Sequence, residues 1–350
     1  PARIYLFPIL MSAQTRAKSF IYFFGVTFVG SLSALLLSIY VIDPYDLWNS
    51  PLNLHRVPVS SDHRLVYSSL AVQPKFDLAI IGSSTLRNIN PKSIESQTGK
   101  KVVSLAMNSA TLSEQHLLTQ TFLSNAKRAG VVIGVDLGWC RKRPLNRRIP
   151  TGVMPLWIRD RYNFNASLQL LNAQTINDSL RLIQFWLGHR KPKYTVNGYR
   201  PFEEDLGPYD REAAAQRIKS SIPKKEQSGP EGDLTFPSSK IVDSFSQSTR
   251  MVKVVLVFVP IHNSYYGKIK QQMEECKESV LQGFSDNEEL VILDYMKSSL
   301  LTKDLANFWD VHHLTEPPTR LIEQDISHAL LKQQPPSVER LVIRSTNGKK

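Results

Sequence analysis

The hydrophobic pattern of the chain falls into one long apolar span followed by an alternation of strands and helices. Ser19 to Ile42 is a run of 24 residues without a charge, rich in Phe, Leu, Val and Ile. That is long enough to cross a bilayer core of roughly 30 Å. Residues 43–75 carry Pro44, Pro51 and Pro58 and no sustained periodicity. They read as an extended lead-in with a short helix around Asp62 to Leu70. From there, short apolar runs predict strands at Phe76–Ile81, Lys101–Met107, Val131–Leu137, Val252–Val259 and Leu290–Tyr295. Helical spacing predicts Pro91–Thr98, Thr111–Lys127, Tyr265–Gln282 and a closing helix, Pro318–Leu331. Five strands separated by helices imply an α/β fold whose parallel sheet is covered on both faces. Right-handed crossovers favour a doubly wound, three-layer sandwich.

Between the third and fourth strands lies an insertion, roughly 140–250. It opens with a basic cluster, Arg141-Lys142-Arg143 with Arg147 and Arg148. That cluster reads first as a solvated loop, and otherwise as a surface for anionic lipid headgroups or a glycan. An apolar helical pattern follows from Ala166 to Gly188 through Leu168, Leu171, Ile176, Leu180, Ile183 and Leu187, and then comes a polar loop, 223–240. The division expected is a cytoplasmic N-terminus over 1–18, an anchor over 19–42, the lead-in, an α/β domain over 76–332 and a polar tail over 333–350. Met11, before a polar and basic stretch, reads as a natural start, with Pro1 to Leu10 as an extension.

Charge gives the apolar span a direction. Arg16 and Lys18 precede it, and Asp43 and Asp46 follow. The positive-inside tendency then puts the N-terminus in the cytoplasm and the rest of the chain across the membrane. A cleaved signal peptide and a buried core helix are the rival readings. The apolar core is too long for the first, and no small-x-small pair precedes Asp43. Composition changes little else: 42% hydrophobic and 21% charged residues describe a globular protein. The net charge of +12 suits solvated basic faces or anionic lipid. It comes with no helix-turn-helix, zinc or aromatic RNA-binding pattern, so no nucleic-acid partner is expected. Cys140 and Cys276 allow at most one disulfide.

The candidate chemistry lies at two ends of the α/β pattern. The first strand climbs to Gly82, and Ser83, Ser84 and Thr85 follow at the carboxyl end of the strand, where open α/β sheets carry their sites. Gly82 allows a sharp turn, and the hydroxyls can open a helix. The loop after the last strand reads Asn307-Phe308-Trp309-Asp310-Val311-His312-His313-Leu314-Thr315 and emerges at the same edge. Ser84 as nucleophile, His313 as base and Asp310 as the group orienting the base complete an activated serine. A metal on Asp310, His312 and His313 is the weaker reading, because adjacent histidines point apart. His313 bracing the final helix is another. No metal or cofactor is expected.

These residues resemble the SGNH (GDSL-like) hydrolase superfamily, in particular its membrane-anchored bacterial members associated with acylation of cell-surface polysaccharides. The first family block, Gly-x-Ser, is matched by Gly82-Ser83-Ser84, and the last, Asp-x-x-His, by Asp310-Val311-His312-His313. The resemblance covers Phe76 to Leu331 apart from the insertion. It implies a flavodoxin-like sandwich and an acyl-Ser84 intermediate. It also implies an esterase or O-acyltransferase acting on an acyl group, most simply acetyl, of a cell-envelope glycan. The compartment implied is the periplasmic face of a bacterial inner membrane, and for a transferase the partner is an integral membrane acyl donor protein. The middle blocks depart from the family. Ser109 stands where a glycine donates a backbone N–H to the oxyanion, Asn108 is a candidate amide donor, and after the third strand stand Asp136, Gly138 and Trp139 with no asparagine. A catalytically silent SGNH-fold protein that binds glycan or scaffolds a membrane complex is the alternative that this departure supports.

Overall fold

Five short, β-branched runs form the parallel core of one sheet: β1 Leu78–Gly82, β2 Val102–Ala106, β3 Gly130–Val135, β4 Lys253–Phe258 and β5 Leu290–Asp294. Their order is β2-β1-β3-β4-β5, extended at the β5 edge by β6, Leu341–Ile343. The computed structural model describes residues 13–48, 50–52, 54–124, 128–140, 154–222, 239–333 and 341–343. The basic cluster at 141–148, nearly all of the 223–240 loop and residues 1–12 lie outside them.

Burial explains why the strands read as unbroken apolar runs rather than alternating ones: both faces of the sheet are covered. Ala79, Ile81, Val131 and Ile133 point into one core cluster, while Leu78, Ile80 and Val132 point into the other. The first cluster is closed by α2 His63–Ala71, α4 Leu112–Leu123, α9 Ser239–Thr249 and α10 Asn263–Gly283. The second is closed by α3 Pro91–Thr98, α12 Glu316–Leu330 and Ile218 of α8, Arg211–Ser221. The three-layer arrangement of a five-stranded parallel sheet is therefore as expected. Boundaries follow local chemistry. Asp62, Asn90 and Thr111 each accept a backbone N–H at a helix start, and Thr111 with Glu114 closes a reciprocal capping box.

Two expectations need correction. Residues 333–350 are not wholly a polar tail, because Leu341–Ile343 pair antiparallel with β5 in the register Leu293↔Leu341 and Val291↔Ile343. The 166–188 pattern is two helices, α5 Phe164–Leu168 and α6 Ala173–Trp186, since Asn172 caps the second through Thr175 N. The one disulfide that the sequence allows is formed: Cys140 and Cys276 are joined, with Cα atoms 5.4 Å apart, tying the end of the β3 loop to α10. Among the described residues the remaining α-helices are the long α1, Ala13–Ile42, and the short α7, Glu203–Leu206, and α11, Leu300–Lys303. Within α1, Ala17–Ile42 is long and apolar enough to cross a membrane, and its large apolar side chains from Phe20 to Val29 are exposed.

Candidate active site

The serine turn is shaped by close packing at glycine. The strand runs through Gly82, and Ser84–Leu86 form a single 3-10 turn rather than the start of an α-helix. Leu86 folds back over the sheet. A Cβ on Gly82 would stand 2.8 Å from Leu86 Cδ1, and one on Gly134 of β3 would stand 2.4 Å from it. Both positions need glycine for this approach, and neither needs it for its φ. Ser83 caps the turn by accepting from Thr85 N, and its hydroxyl donates to Asp136. Ser83 is therefore engaged below the turn, while Ser84 leads it.

On the loop after β5, Asp310 gathers the backbone and ring of His313. Its Oδ1 accepts the N–H groups of His312 at 2.8 Å and His313 at 3.0 Å, and its Oδ2 meets His313 Nδ1 at 2.7 Å. His313 Nε2 lies 2.8 Å from Ser84 Oγ. Burial alone would raise the Asp310 carboxyl. The hydrogen bond and charge of His313 and the two backbone donors overcome it and hold Asp310 at about 2, below its ordinary 3.8. An ionised carboxylate can only accept, so His313 donates to it from Nδ1, and in the neutral ring Nε2 is left to accept from the Ser84 hydroxyl. His312 turns away, with its ring edge-on to Tyr265 at 5.3 Å.

The three expected residues are thus joined in one hydrogen-bonded line. Asn108 and Ser109 follow β2, where Met107 N donates to Gly82 O, so both flank the serine turn. Ser109 is exposed and has φ +53°, a conformation that favours glycine. Asn108 Oδ1 accepts from Arg87 Nη1 at 3.0 Å, which fixes the amide plane. Asp136, 7% exposed, accepts from Ser83 and, at 2.7 Å, from Gly138 N, as a residue capping a strand end does.

Three further residues at the site escape sequence reasoning. Phe202, in the insertion, stacks on the His313 ring with centroids 4.2 Å apart and planes at 24°. Arg87 lies on Phe202, its guanidinium carbon 4.9 Å from the ring centroid, and is itself only 2% exposed. It is held by Asp205 at 2.7 Å and by the carbonyls of Arg200 and Pro201, both at 3.3 Å. Asn88 bridges the two loops, accepting from Phe202 N at 2.6 Å and donating to Leu314 O at 2.7 Å. The adjoining Arg87-Asn88 pair right after the serine turn is the one local signal of this. Phe202 and Asp205 are more than 110 residues away and carry none.

Chemically, the line supplies a hydroxyl, a base able to take its proton and a carboxylate to orient that base. A scan against protein-family models gives no match to this chain, and a search of curated proteins gives none either.

Proposed function

We propose that this chain is a membrane-anchored serine esterase or O-acyltransferase of the SGNH type, acting on an ester-linked acyl group, most simply acetyl, of a cell-envelope glycan. The observation that carries the reading is the continuous line from Ser84 Oγ through His313 to Asp310, at 2.8 and 2.7 Å. A serine hydroxyl is too weak a nucleophile near neutral pH without such a base.

The chemistry follows from the positions. Ser84 Oγ attacks the acyl carbonyl while His313 Nε2 takes its proton, and Asp310 stabilises the imidazolium through Nδ1. As the tetrahedral intermediate collapses, the imidazolium returns the proton to the departing alkoxide, leaving acyl-Ser84. Water or a sugar hydroxyl then gives its proton to His313 and attacks the acyl carbon, and Ser84 leaves with the proton. Backbone N–H groups at Ser84 and Ser109 and the Asn108 amide are the candidates for the oxyanion. A single such donor is worth about 10²–10³ in rate.

The apolar helix Ala17–Ile42 supports single-pass anchoring. The Cys140–Cys276 bridge favours an oxidising compartment for the catalytic domain. Together they fit a bacterial inner-membrane protein with a cytoplasmic N-terminus and a periplasmic domain, served in the transfer case by an integral membrane acyl donor. A second reading, a silent fold that binds glycan or scaffolds a complex, is favoured by Asp136 and Gly138 standing where the family has an asparagine donor. A fluorophosphonate probe on the full chain separates the two. Labelling of wild type that is lost in Ser84→Ala and weakened in His313→Ala supports the enzyme, whereas an unlabelled wild type leaves the binding protein.

A further inference from the structure

Part of the insertion is built with its apolar side outward. Ile176, Leu180, Ile183 and Leu187 recur at spacings of four, three and four along α6 and its C-cap residue, which puts them in one stripe about 60° wide. Leu180 is 53% and Leu187 65% exposed, and Ile176 is exposed as well. The side of α6 turned inward buries Thr175, Asp178 and Ser179 beside Leu182, with Phe185 and Trp186 packed at its C-terminal end. Asp178 there accepts from Tyr45, Gln174 and Arg181. Water selects the opposite arrangement.

The surface continues into the preceding segment, where Leu156, Tyr162, Phe164 and Leu168 are exposed. Outside α1, thirteen large apolar side chains are exposed among the described residues, and seven of them fall between Leu156 and Leu187. That is a patch, not a scatter.

Its position says what covers it. Ile158 and Leu170 pack with Ile39 of α1 in one cluster, with Leu35, Trp157 and Leu171 at its edge. Arg161 Nε donates to Leu47 O at 3.1 Å, just beyond the end of α1. The apolar span of α1 is 26 residues, about 39 Å at 1.5 Å per residue. This exceeds a hydrocarbon core of roughly 30 Å by about two turns. The insertion embraces the last turns of α1, so its apolar patch stands at the level where chain leaves lipid. Charge agrees with this. Between 154 and 193 stand Arg159, Arg161, Arg181, Arg190, Lys191 and Lys193 against Asp160 and Asp178, six cations to two acids. An apolar stripe rimmed by cations beside a membrane span matches an anionic lipid surface.

We propose that residues 156–187 form an interfacial platform lying on anionic lipid at the face where α1 leaves the membrane, with Ile176, Leu180 and Leu187 reaching the acyl boundary. One helix alone leaves a domain free to swing, and a second, lateral attachment fixes its tilt. This inference stands apart from the catalytic reading and needs no activity to be tested.

The test places nitroxide labels on the full chain in nanodiscs holding one copy each. The native cysteines are paired with each other, so an introduced thiol is the only free one. Labels at Leu180→Cys and Leu187→Cys are expected to show a several-fold higher ratio of oxygen to nickel-chelate accessibility than one at Glu278→Cys, an exposed position on α10. Ile176→Cys should match them, and Asn177→Cys and Gln184→Cys on one flank should fall between, so that no single misfolded variant decides the result. Replacing the anionic lipid by a zwitterionic one should lower the ratio. Labels at 180 and 187 that read as aqueous as 278 overturn the platform. Labels closed to both reagents overturn it too, since protein then covers the patch. An unchanged ratio in zwitterionic discs removes the anionic preference.

Discussion

Phe202 lies face to face with His313, ring centroids 4.2 Å apart, and presses the imidazole from the side that the insertion supplies. The contact joins a residue deep in a long insertion to the imidazole at the end of the sheet. Because Ser84 and Asp310 both bond in the plane of the same ring, a base free to rock on this face loses both bonds at once. We expect Phe202→Ala to slow fluorophosphonate labelling of Ser84 by about 10- to 100-fold, the order of loss that about 1 Å of misplacement produces. Phe202→Tyr should keep most of the rate. Equal rates for Phe202→Ala and wild type would remove Phe202 from the positioning of His313.

Asn88 is what holds that pair together, through bonds of 2.6 Å from Phe202 N and 2.7 Å to Leu314 O. Asn88→Ala leaves a backbone donor and a backbone acceptor without partners at a site where Asn88 is only 6% exposed. The expected loss is about 2–3 kcal/mol, read as a lower urea midpoint at unchanged slope. Asn88→Asp should cost more near neutral pH, because a carboxylate would then face the Leu314 carbonyl. If Asn88→Asp is as stable as wild type, the amide is not the bridge.

The disulfide closes a loop between residues 136 apart, from the end of the β3 loop to the middle of α10. Gln272 Nε2 also donates to Cys140 O at 2.8 Å, so the two segments stay apposed by more than the bridge. Chain entropy gives an upper value of about 5 kcal/mol for such a loop. We expect the double variant Cys140→Ser, Cys276→Ser to fold with a reduced denaturation midpoint and to label at Ser84 as wild type does. Loss of labelling together with retained stability would mean that the bridge shapes the site itself.

What is legible in the sequence is whatever repeats locally. Strands buried on both faces show as unbroken apolar runs, as from Val254 to Phe258 in β4, and capping residues such as Asn90 mark helix starts. Ser84, Asp310 and His313 can be read because their residue types and spacing suit one hydrogen-bonded line. Contacts between distant segments leave no mark, and so the Arg87–Asp205 pair, the Phe202 stack and the closing of the Cys140–Cys276 bridge come only with the structure. Gly82 reads as a turn residue when its role is to let Leu86 approach. The apolar period of α6 is also plain, but a period says only that residues share a face. It does not say whether protein, water or lipid meets that face.

The ionised state of Asp310 feeds into stability at low pH. Its native value of about 2 lies below the ordinary 3.8, so the folded state holds fewer protons between these values. The stabilisation is present in full above about pH 4 and is lost as pH falls toward 2. A shift of this size corresponds to about 2 kcal/mol. Asp310→Asn should therefore be less stable than wild type at about pH 6 and converge with it near pH 2, while its labelling at about pH 7 falls by up to about 10⁴. Denaturation curves for the two proteins that stay equally far apart across this whole range would assign the shift to another group.

His63 gives a separate pH dependence on the mildly acidic side. Burial lowers its imidazole to about 4, helped by the charges of Arg87 and Arg200, and its buried Nδ1 has no hydrogen-bond partner. The unfolded ring titrates near 6.5, so between pH 6.5 and 4 the unfolded chain binds a proton that the native ring refuses. Stability then falls as pH drops through that window, by about 2–3 kcal/mol in total once solvent screening of the partly exposed ring is allowed for. The ring sits edge-on to Tyr194, centroids 5.9 Å apart at 86°, a packing that phenylalanine can reproduce. His63→Phe should leave stability at about pH 7.5 nearly unchanged and flatten the decline across the acidic window. Because the ring lies near Arg87 and not against Ser84 or His313, labelling at that same neutral pH should stay at the wild-type rate. Parallel stability profiles for variant and wild type across the window would show that His63 is not the group that titrates.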